Sequence, residues 1–449
     1  MGQYNMFHSN LGGEFYQMEI AIYTLRTVAS AIVDPSNAFI LIMIALIFYN
    51  KNKKIATMQK MIMGESLDSP FELTISQIVL GIFAGAIASL LFAFLGLVFD
   101  ENSNIYLLFM VSLFFMAFKP RFICFSYSGA ALGITSIVFK YAANILHIPK
   151  LDFINIDILT LMTLVGILHI IEGSLVMIDG SRGAIPVFTN RDNKIIGGFA
   201  LKRYWALPIA ILILFSAATS DIMGGQQIVT PEWWPLINSD IITKIVEKSV
   251  IASIALYGVI GYSSITFTKK KKSKALTSGA LIMGYGVLLT AMSQLAVLGV
   301  NFQLFVLIFA AAFHEGMLQL EKHMELTSKP KFVSNEEGIM VLEVAPKSPA
   351  FHMGIQSGDL IVQINDKKID AEEEIFSLIK GNFNSLLLKI KKPSGELKDM
   401  NYSNVTGNKR LGIVIVPREV PQDVAVVNVD DESFKDVLDK MKNKDKDKK

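Results

Sequence analysis

The chain has 449 residues, of which 52% are hydrophobic and only 18% are charged, and its formal net charge is +2. Because soluble proteins carry about a quarter charged residues, this composition excludes an ordinary soluble protein and is typical of a polytopic membrane protein. The near-neutral charge gives no reason to expect a nucleic-acid partner. Cys124 is the single cysteine, which excludes an intrachain disulfide, and we expect no cysteine-based metal site either.

Apolar runs dominate the chain up to about residue 325. A hydrocarbon core about 30 Å thick requires about 20 apolar residues of helix. We therefore predict an α-helical polytopic membrane domain over residues 35–325, with about eight or nine spans. The candidate spans lie near residues 35–50, 72–98, 104–118, 122–146, 154–171, 204–219, 249–267, 275–298 and 303–320.

The N-terminal segment, residues 1–34, contains an apolar stretch with charges in it. Glu19, Arg26 and Asp34 interrupt or end the run over residues 16–33. Such a pattern favours an amphipathic helix that lies in the membrane interface. The alternative is that this stretch forms part of the first span.

Basic residues follow every second predicted span. Lysine and arginine are in excess on the cytoplasmic side of a membrane, and the intervening loops, which contain Asp100-Glu101-Asn102 and Trp233-Trp234, are poor in them. This alternation predicts a cytoplasmic C-terminal domain and, with nine spans as about the upper count, an N-terminus outside the cell. The basic positions are Lys51, Lys53, Lys54, Lys119, Arg121, Arg182, Arg191, Lys194, Lys202, Arg203, Lys269, Lys270, Lys271, Lys272 and Lys274.

Beyond residue 325 the pattern changes to short strands and turns, centred on EGIMVLEVAPKSPAFHMGIQSGDLIVQINDKKI. Alternating apolar residues predict strands, and Gly, Pro, Asn and Asp predict the turns between them. The first predicted elements are a strand from Ile339 to Val344 and a short helix that begins at Ser348-Pro349-Ala350 and ends at Gly354. A turn at Gly358-Asp359 then leads into a strand with Leu360, Val362 and Ile364 on its buried face, and a turn at Asn365-Asp366 follows it. The remaining elements are a helix between Asp370 and Gly381, a hairpin of Leu386 to Ile390 with Leu397 to Tyr402, and a last strand from Leu411 to Val416.

The SPA…G…GD…IN series in this segment resembles bacterial PDZ domains across residues 336–417. The resemblance implies a small, β-rich α+β domain over residues 331–417. In that family a glycine-containing loop leads into the strand that pairs with the ligand. No such loop precedes Ile339, but Arg410-Leu411-Gly412-Ile413 supplies it at the other end, so the domain resembles a circularly permuted PDZ. Residues 418–449 are rich in Asp and Lys, which predicts a polar, disordered tail.

The resemblance implies a groove for peptide C-termini or extended segments. The backbone N–H groups of its loop are expected to hold a terminal carboxylate, and the edge of the last strand is expected to accept a peptide by β-addition. The predicted groove residues are Arg410, Leu411, Gly412, Ile413, Val414 and Ile415, with Ile375 and Phe376 of the helix over residues 371–380 as the opposite wall. We expect charge reversal at Arg410, or Gly412→Glu, to abolish binding without unfolding the domain. The alternative is a PDZ fold that serves only for packing or binds internal segments.

A PDZ domain joined to membrane helices also raises the hypothesis of an intramembrane zinc protease, with a transporter as a further alternative. His314-Glu315 begins an H-E-x-x-H motif, but Leu318 occupies the position of the second histidine. We therefore predict no enzyme, no catalytic residue, no cofactor and no metal. A loose group of ionisable residues remains at predicted cytoplasmic helix ends, where a metal or proton-linked role, interhelical contacts and solvation are all open. Its members are His169, Glu172, Asp179, His314 and Glu315.

The whole architecture resembles the MinJ family of polytopic PDZ proteins in division-site selection. The likeness is sharpest from His169 to Pro208 (HIIEGSLVMIDGSRGAIPVFTNRDNKIIGGFALKRYWALP) and in the ending RLGIVIVP. It implies a non-enzymatic scaffold in the cell membrane, enriched at septum and poles. Such a scaffold recruits DivIVA-like and MinD-like division proteins through its loops and its cytosolic PDZ groove.

Overall fold

The computed structural model describes residues 19–63, 67–118, 124–148, 154–191, 194–216, 234–237, 249–369, 385–403 and 410–418. Long helices form the N-terminal part, a long β-hairpin lies among them, and a small sheet follows. The helices are α1 (Glu19–Val33), α2 (Pro35–Met63), α3 (Pro70–Leu95), α4 (Tyr106–Phe118), α5 (Phe125–Leu146), α6 (Ile158–Asp179), α7 (Lys271–Ser293), α8 (Val300–Thr327) and α9 (Pro349–His352). The strands are β1 (Val98–Asp100), β2 (Ile185–Arg191), β3 (Lys194–Ser216), β4 (Ser249–Thr266), β5 (Ile339–Val344), β6 (Leu360–Ile364), β7 (Lys367–Lys368), β8 (Ser385–Lys391), β9 (Leu397–Ser403) and β10 (Ile413–Val416).

Several of the helices have the length and composition of membrane spans. Within the described ranges, 5 helices are long and apolar enough to cross a membrane, or up to 6 if the bent pair of α1 and α2 is one span. The prediction of a largely helical N-terminal region with several long apolar helices is thus confirmed. The axes of α1 and α2 differ by 67°, so the two form distinct helices rather than one straight rod. That α1 lies in the membrane interface stays a prediction.

The predicted spans at residues 204–219 and 249–267 are wrong as helices, because residues 204–216 form part of β3 and residues 249–266 form β4. The two strands pair antiparallel over the whole length of β4, from Phe199 with Thr266 to Ser216 with Ser249. A continuous apolar run fits a strand buried on both faces as well as a helix, so hydropathy could not distinguish them. The cytoplasmic orientation of the C-terminal domain stays a prediction.

Helix α3 covers the middle of β3 where no strand pairs with it. On this side β2 pairs with residues 194–200 and β1 with residues 212–214. Between them the backbone of β3 is approached so closely by α3 that a Cβ at Gly81 or Gly85 would strike the carbonyl groups of the strand. Ser89, one turn further along, accepts a hydrogen bond from the Ala210 N–H at 2.9 Å. The helix thereby satisfies a backbone group that would otherwise be buried without a partner.

Helices α6 and α7 form the closest helix pair. A Cβ at Gly173 would lie 2.5 Å from the Gly279 carbonyl oxygen, and a Cβ at Gly286 would lie 2.6 Å from the Gly166 carbonyl oxygen. The two glycines of each helix are seven residues apart, so they lie on one face of that helix. The helices are antiparallel, so that Gly173 faces Gly279 and Gly166 faces Gly286. Small residues at these positions let the two backbones come into contact, a packing that is also common between membrane helices.

The C-terminal sheet follows the sequence prediction closely. Its strand order is β10-β5-β6-β8-β9, with β7 beside β6, which sets the last strand against the first as expected for a permuted domain. Asn365 and Asp366 both have positive φ, and this fits the predicted tight turn between β6 and β7. In β6, Ile361 is buried and Val362 is only partly buried. This difference from the predicted alternation reflects a register shift between Ile361 and Gln363.

The C-terminal sheet is docked on the long hairpin. Gly197 in β3 donates its N–H to the Phe332 carbonyl at 2.9 Å, and the ring of Phe332 packs edge-on against Phe199 at 5.5 Å between centroids. Lys271 at the start of α7 forms an ion pair with Glu343 in β5, with 2.5 Å between Nζ and Oε2. The domain is therefore held against the hairpin and α7 by both backbone and side-chain contacts.

Candidate functional site

Strand β10 and the loop before it lie at one edge of the C-terminal sheet. Strand β10 is terminal in the sheet and pairs antiparallel with β5 only, among the described residues. Gly412 is left-handed, with φ +73°, and the carbonyl groups of Leu411 and Gly412 accept hydrogen bonds from Ala350 and Ala345 at 3.1 and 2.8 Å. The N–H groups of Leu411 and Gly412 donate to no other described group. Residues 411–417 are all buried, so these two N–H groups are screened from solvent and have no acceptor among the described residues.

Side chains of β10 alternate between two cores. Leu411, Ile413 and Ile415 pack into the core of the C-terminal domain. Val414 and Val416 instead join the large core that includes the hairpin and the helices. The predicted role of Val414 as a groove residue therefore applies to its backbone and not to its side chain. Arg410 is exposed beside the loop, and the predicted opposite wall, Ile375 and Phe376, lies outside the described residues.

A second candidate site lies between helices α5, α6 and α8. Here Cys124 Sγ lies 3.0 Å from His169 Nε2 and 3.3 Å from His314 Nε2. Glu172 Oε2 is 4.0 Å from His169 Nε2, and Glu315 accepts a hydrogen bond from Tyr127 at 2.9 Å. The structure thus brings together four of the five ionisable residues that the sequence grouped loosely.

Asp179 is the member that does not belong to this group. It lies ten residues from His169 along α6, about 15 Å at 1.5 Å per residue, and it is buried against Arg203. Asp179 Oδ2 accepts hydrogen bonds from Arg203 Nε at 2.8 Å and from Trp205 Nε1 at 3.0 Å. Its function is therefore to compensate the charge of a fully buried arginine in β3.

Cys124 is the residue that sequence reasoning left out of the cluster. The expectation that one cysteine excludes a cysteine-containing metal site took no account of histidines as the remaining ligands. Cys124 is 45 residues from His169 and 190 from His314, so no local motif connects them. The sequence offered one indication, namely a cysteine at the start of an apolar segment. In the structure Cys124 is the N-terminal cap of α5.

Comparisons with known proteins bear on the C-terminal domain. A family model described as PDZ domain matches residues 340–388. The C-terminal domain is a PDZ domain. Related stretches occur in "Serine protease HTRA3" of Rattus norvegicus, 37% identical over 71 residues, and in "Probable serine protease do-like" of Buchnera aphidicola, 30% identical over 91 residues. A third relative, "Probable cell division topological determinant MinJ" of Lacticaseibacillus paracasei, is 26% identical over 85 residues.

These matches cover 16%, 20% and 19% of this chain and 15%, 18% and 23% of the respective relatives. The chain thus spans less than a quarter of each relative's length. The protease matches are confined to the PDZ domain, so they describe a shared PDZ domain and carry no information about proteolysis.

The geometry of the PDZ loop corrects one expected mutant phenotype. A Cβ added at Gly412 would collide with the side chain of Ser348, the residue that caps α9. The positive φ at Gly412 adds strain for any other residue. Gly412→Glu is therefore expected to disturb the PDZ fold itself, and Arg410 is the better position for testing the groove.

Proposed function

We propose that this protein is a scaffold of the cell membrane that captures protein C-termini, or extended segments, on its cytosolic PDZ groove. The observation that carries this proposal is the position of β10 at the edge of its sheet, together with the N–H groups of Leu411 and Gly412, which donate to no other described group. A strand edge offers main-chain hydrogen bonds to an extended peptide, and a turn of N–H groups suits a carboxylate. Arg410 adds a positive charge at the same end.

Docking of the PDZ domain supports a scaffold rather than a tethered, freely moving module. One face of its sheet packs on its own core, and the other contributes Leu342, Val414 and Val416 to the core shared with the hairpin. A module fixed in this way presents its ligand edge at a constant orientation to the membrane helices. A bound partner would therefore be held next to the membrane.

We expect Arg410→Glu to weaken peptide binding at least tenfold, because it places a negative charge beside the site of the ligand carboxylate. The measurement is fluorescence anisotropy of labelled peptides with apolar C-termini, added to the detergent-solubilised full chain. Each peptide is compared with its C-terminal amide, which lacks the charge.

Lys398→Glu is the matched control, because Lys398 lies on β9 at the opposite edge of the same sheet. The control is expected to bind as the unmodified chain does. Equal affinity of Arg410→Glu and the unmodified chain for every peptide would contradict the groove. Equal affinity for acid and amide would restrict the proposal to internal extended segments.

We further propose that the scaffold acts in division-site selection and binds DivIVA-like and MinD-like partners. The support is the resemblance to MinJ proteins, together with the PDZ domain on a block of apolar helices. A fluorescent fusion is expected to concentrate at septa and poles, and loss of the gene is expected to lengthen cells or produce minicells. Uniform membrane fluorescence with normal cell length would contradict the division role while leaving the peptide groove to its own test.

A further inference from the structure

Three side chains from distant parts of the chain converge on one point. Cys124, His169 and His314 each offer one ligand atom, and these atoms all lie within 4.8 Å of one another. The two imidazoles are almost completely buried, with 1% and 6% of their surfaces exposed. The only cysteine of the chain therefore meets two of its 6 histidines in the helical core.

Hydrogen bonds fix which nitrogen of His169 faces the cysteine. Its Nδ1 lies 2.7 Å from the Val165 carbonyl oxygen, an acceptor, so Nδ1 carries the proton. The neutral ring then presents a lone pair at Nε2. Ser126 is 3.2 Å from this Nε2, but it donates its own proton to Tyr285, which in turn donates to the Ala310 carbonyl at 2.7 Å.

His314 is oriented in the same sense by a side-chain relay. Tyr127 donates its hydroxyl proton to Glu315 at 2.9 Å, so its oxygen accepts from His314 Nδ1 at 3.3 Å. The Nε2 lone pair of His314 is thereby also directed at Cys124. In metal sites, the histidine nitrogen that does not bind the metal usually donates a hydrogen bond to a carbonyl or a carboxylate. His169 and His314 both have such a hydrogen bond at Nδ1, and that of His314 reaches the carboxylate through Tyr127.

Lone pairs outnumber protons at this point. Two Nε2 atoms face the Cys124 sulfur, at 3.0 and 3.3 Å, and a thiol has a single proton, which can serve only one of them. A cation among these atoms would satisfy all of them at once. We propose that Cys124, His169 and His314 bind a zinc ion between α5, α6 and α8.

The ligand set and its spacing suit zinc. Thiolate and imidazole are the usual ligands of this ion, and bonds of about 2.3 Å to sulfur and 2.0–2.1 Å to nitrogen set tetrahedral ligand atoms about 3.5 Å apart. The observed distances from Cys124 Sγ to the two Nε2 atoms, 3.0 and 3.3 Å, need to widen only slightly. Two further oxygens lie close to His169 Nε2, Ser126 Oγ at 3.2 Å and Glu172 Oε2 at 4.0 Å.

The test uses the full chain purified in detergent, with zinc and cobalt as probes. Elemental analysis is expected to find close to one equivalent of zinc after dialysis against buffer. After removal of zinc, Co²⁺ is expected to give a sulfur-to-cobalt charge-transfer band. Since Cys124 is the only cysteine, such a band can come only from this residue. Lack of both signals in the unmodified chain overturns the proposal, whatever the variants do.

Variants separate this site from adventitious binding. Cys124→Ser and His314→Gln are expected to lose the charge-transfer band and at least nine-tenths of the zinc, while remaining monodisperse. His323→Gln is the matched control, because His323 is an exposed histidine on the same helix α8, and it is expected to keep both signals. Unchanged zinc content in Cys124→Ser and His314→Gln would show an adventitious ion only.

Discussion

Gly173→Leu is expected to prevent stable packing of α6 against α7 and to lower stability by more than about 3 kcal/mol, beyond the usual range of overpacking. The reason is that the added Cβ would lie 2.5 Å from the Gly279 carbonyl oxygen and 2.6 Å from the Met283 nitrogen. Both are backbone atoms of the opposite helix, which cannot rotate aside as a side chain can. The measurement is the thermal midpoint in detergent, with monodispersity on size exclusion.

Gly284→Leu provides the control on the partner helix. Gly284 is exposed, and a Cβ there would meet nothing within 4 Å, so the same substitution is expected to be neutral or slightly stabilising through helix propensity. Alanine substitutions give a second comparison, with opposite expected signs. Gly173→Ala is expected to destabilise the protein, and Gly284→Ala is expected to stabilise it by up to about 1 kcal/mol. Equal effects at the two positions would contradict the close α6–α7 contact.

Asp179→Ala is expected to destabilise the protein by about 3–5 kcal/mol, as removal of one partner from a buried ion pair does. Arg203 is completely buried, and Asp179 is its carboxylate partner in the described residues. The other groups that Arg203 reaches are neutral, the Leu73 carbonyl and the Ser76 hydroxyl. Without Asp179 the guanidinium charge would remain in the core uncompensated. The shift of the thermal midpoint in detergent measures this effect.

Two controls distinguish burial of charge from loss of a contact. Glu337→Ala removes an ion pair of similar length, 2.6 Å from Lys391, that is exposed on the PDZ surface. The hydrogen bond from Lys391 lowers the pKa of Glu337, yet its removal is expected to leave the midpoint nearly unchanged. The double variant Asp179→Leu with Arg203→Met is expected to recover most of the stability, because it removes both charges. If the double variant has a thermal midpoint as low as that of Asp179→Ala, the loss of stability comes from lost packing at position 179 and not from an uncompensated charge.

The PDZ elements could be predicted from local sequence because local chemistry determines them. Ser348 caps a short helix with proline at its first turn, and Gly354 ends it with positive φ. The strand Ile339–Val344 and the β8–β9 hairpin lie where their apolar residues and the turn residues around them predicted strands. Turn and capping residues act on backbone groups within a few positions of themselves, so their effect can be predicted without knowledge of the rest of the chain.

Hydropathy located the apolar runs but could not assign their secondary structure. The run around Pro208 is as apolar as a span, yet it forms β3, because α3 and β4 cover the strand and complete its hydrogen bonds. Whether a buried apolar segment is a helix or a strand depends on which neighbours satisfy its backbone. Only the tertiary structure supplies those neighbours.

The sequence by itself determined the apolar block, the PDZ domain and the unusual position of its glycine-containing loop at the C-terminal end. Tertiary structure decided the partners of the buried polar groups. It paired Asp179 with Arg203 and placed Cys124 beside His169 and His314. It also buried Lys274, expected in a basic loop, against Glu321 and Glu325 at 3.1 and 3.3 Å. A buried polar group takes whichever partner folding brings within hydrogen-bond distance, and spacing along the chain does not encode that choice.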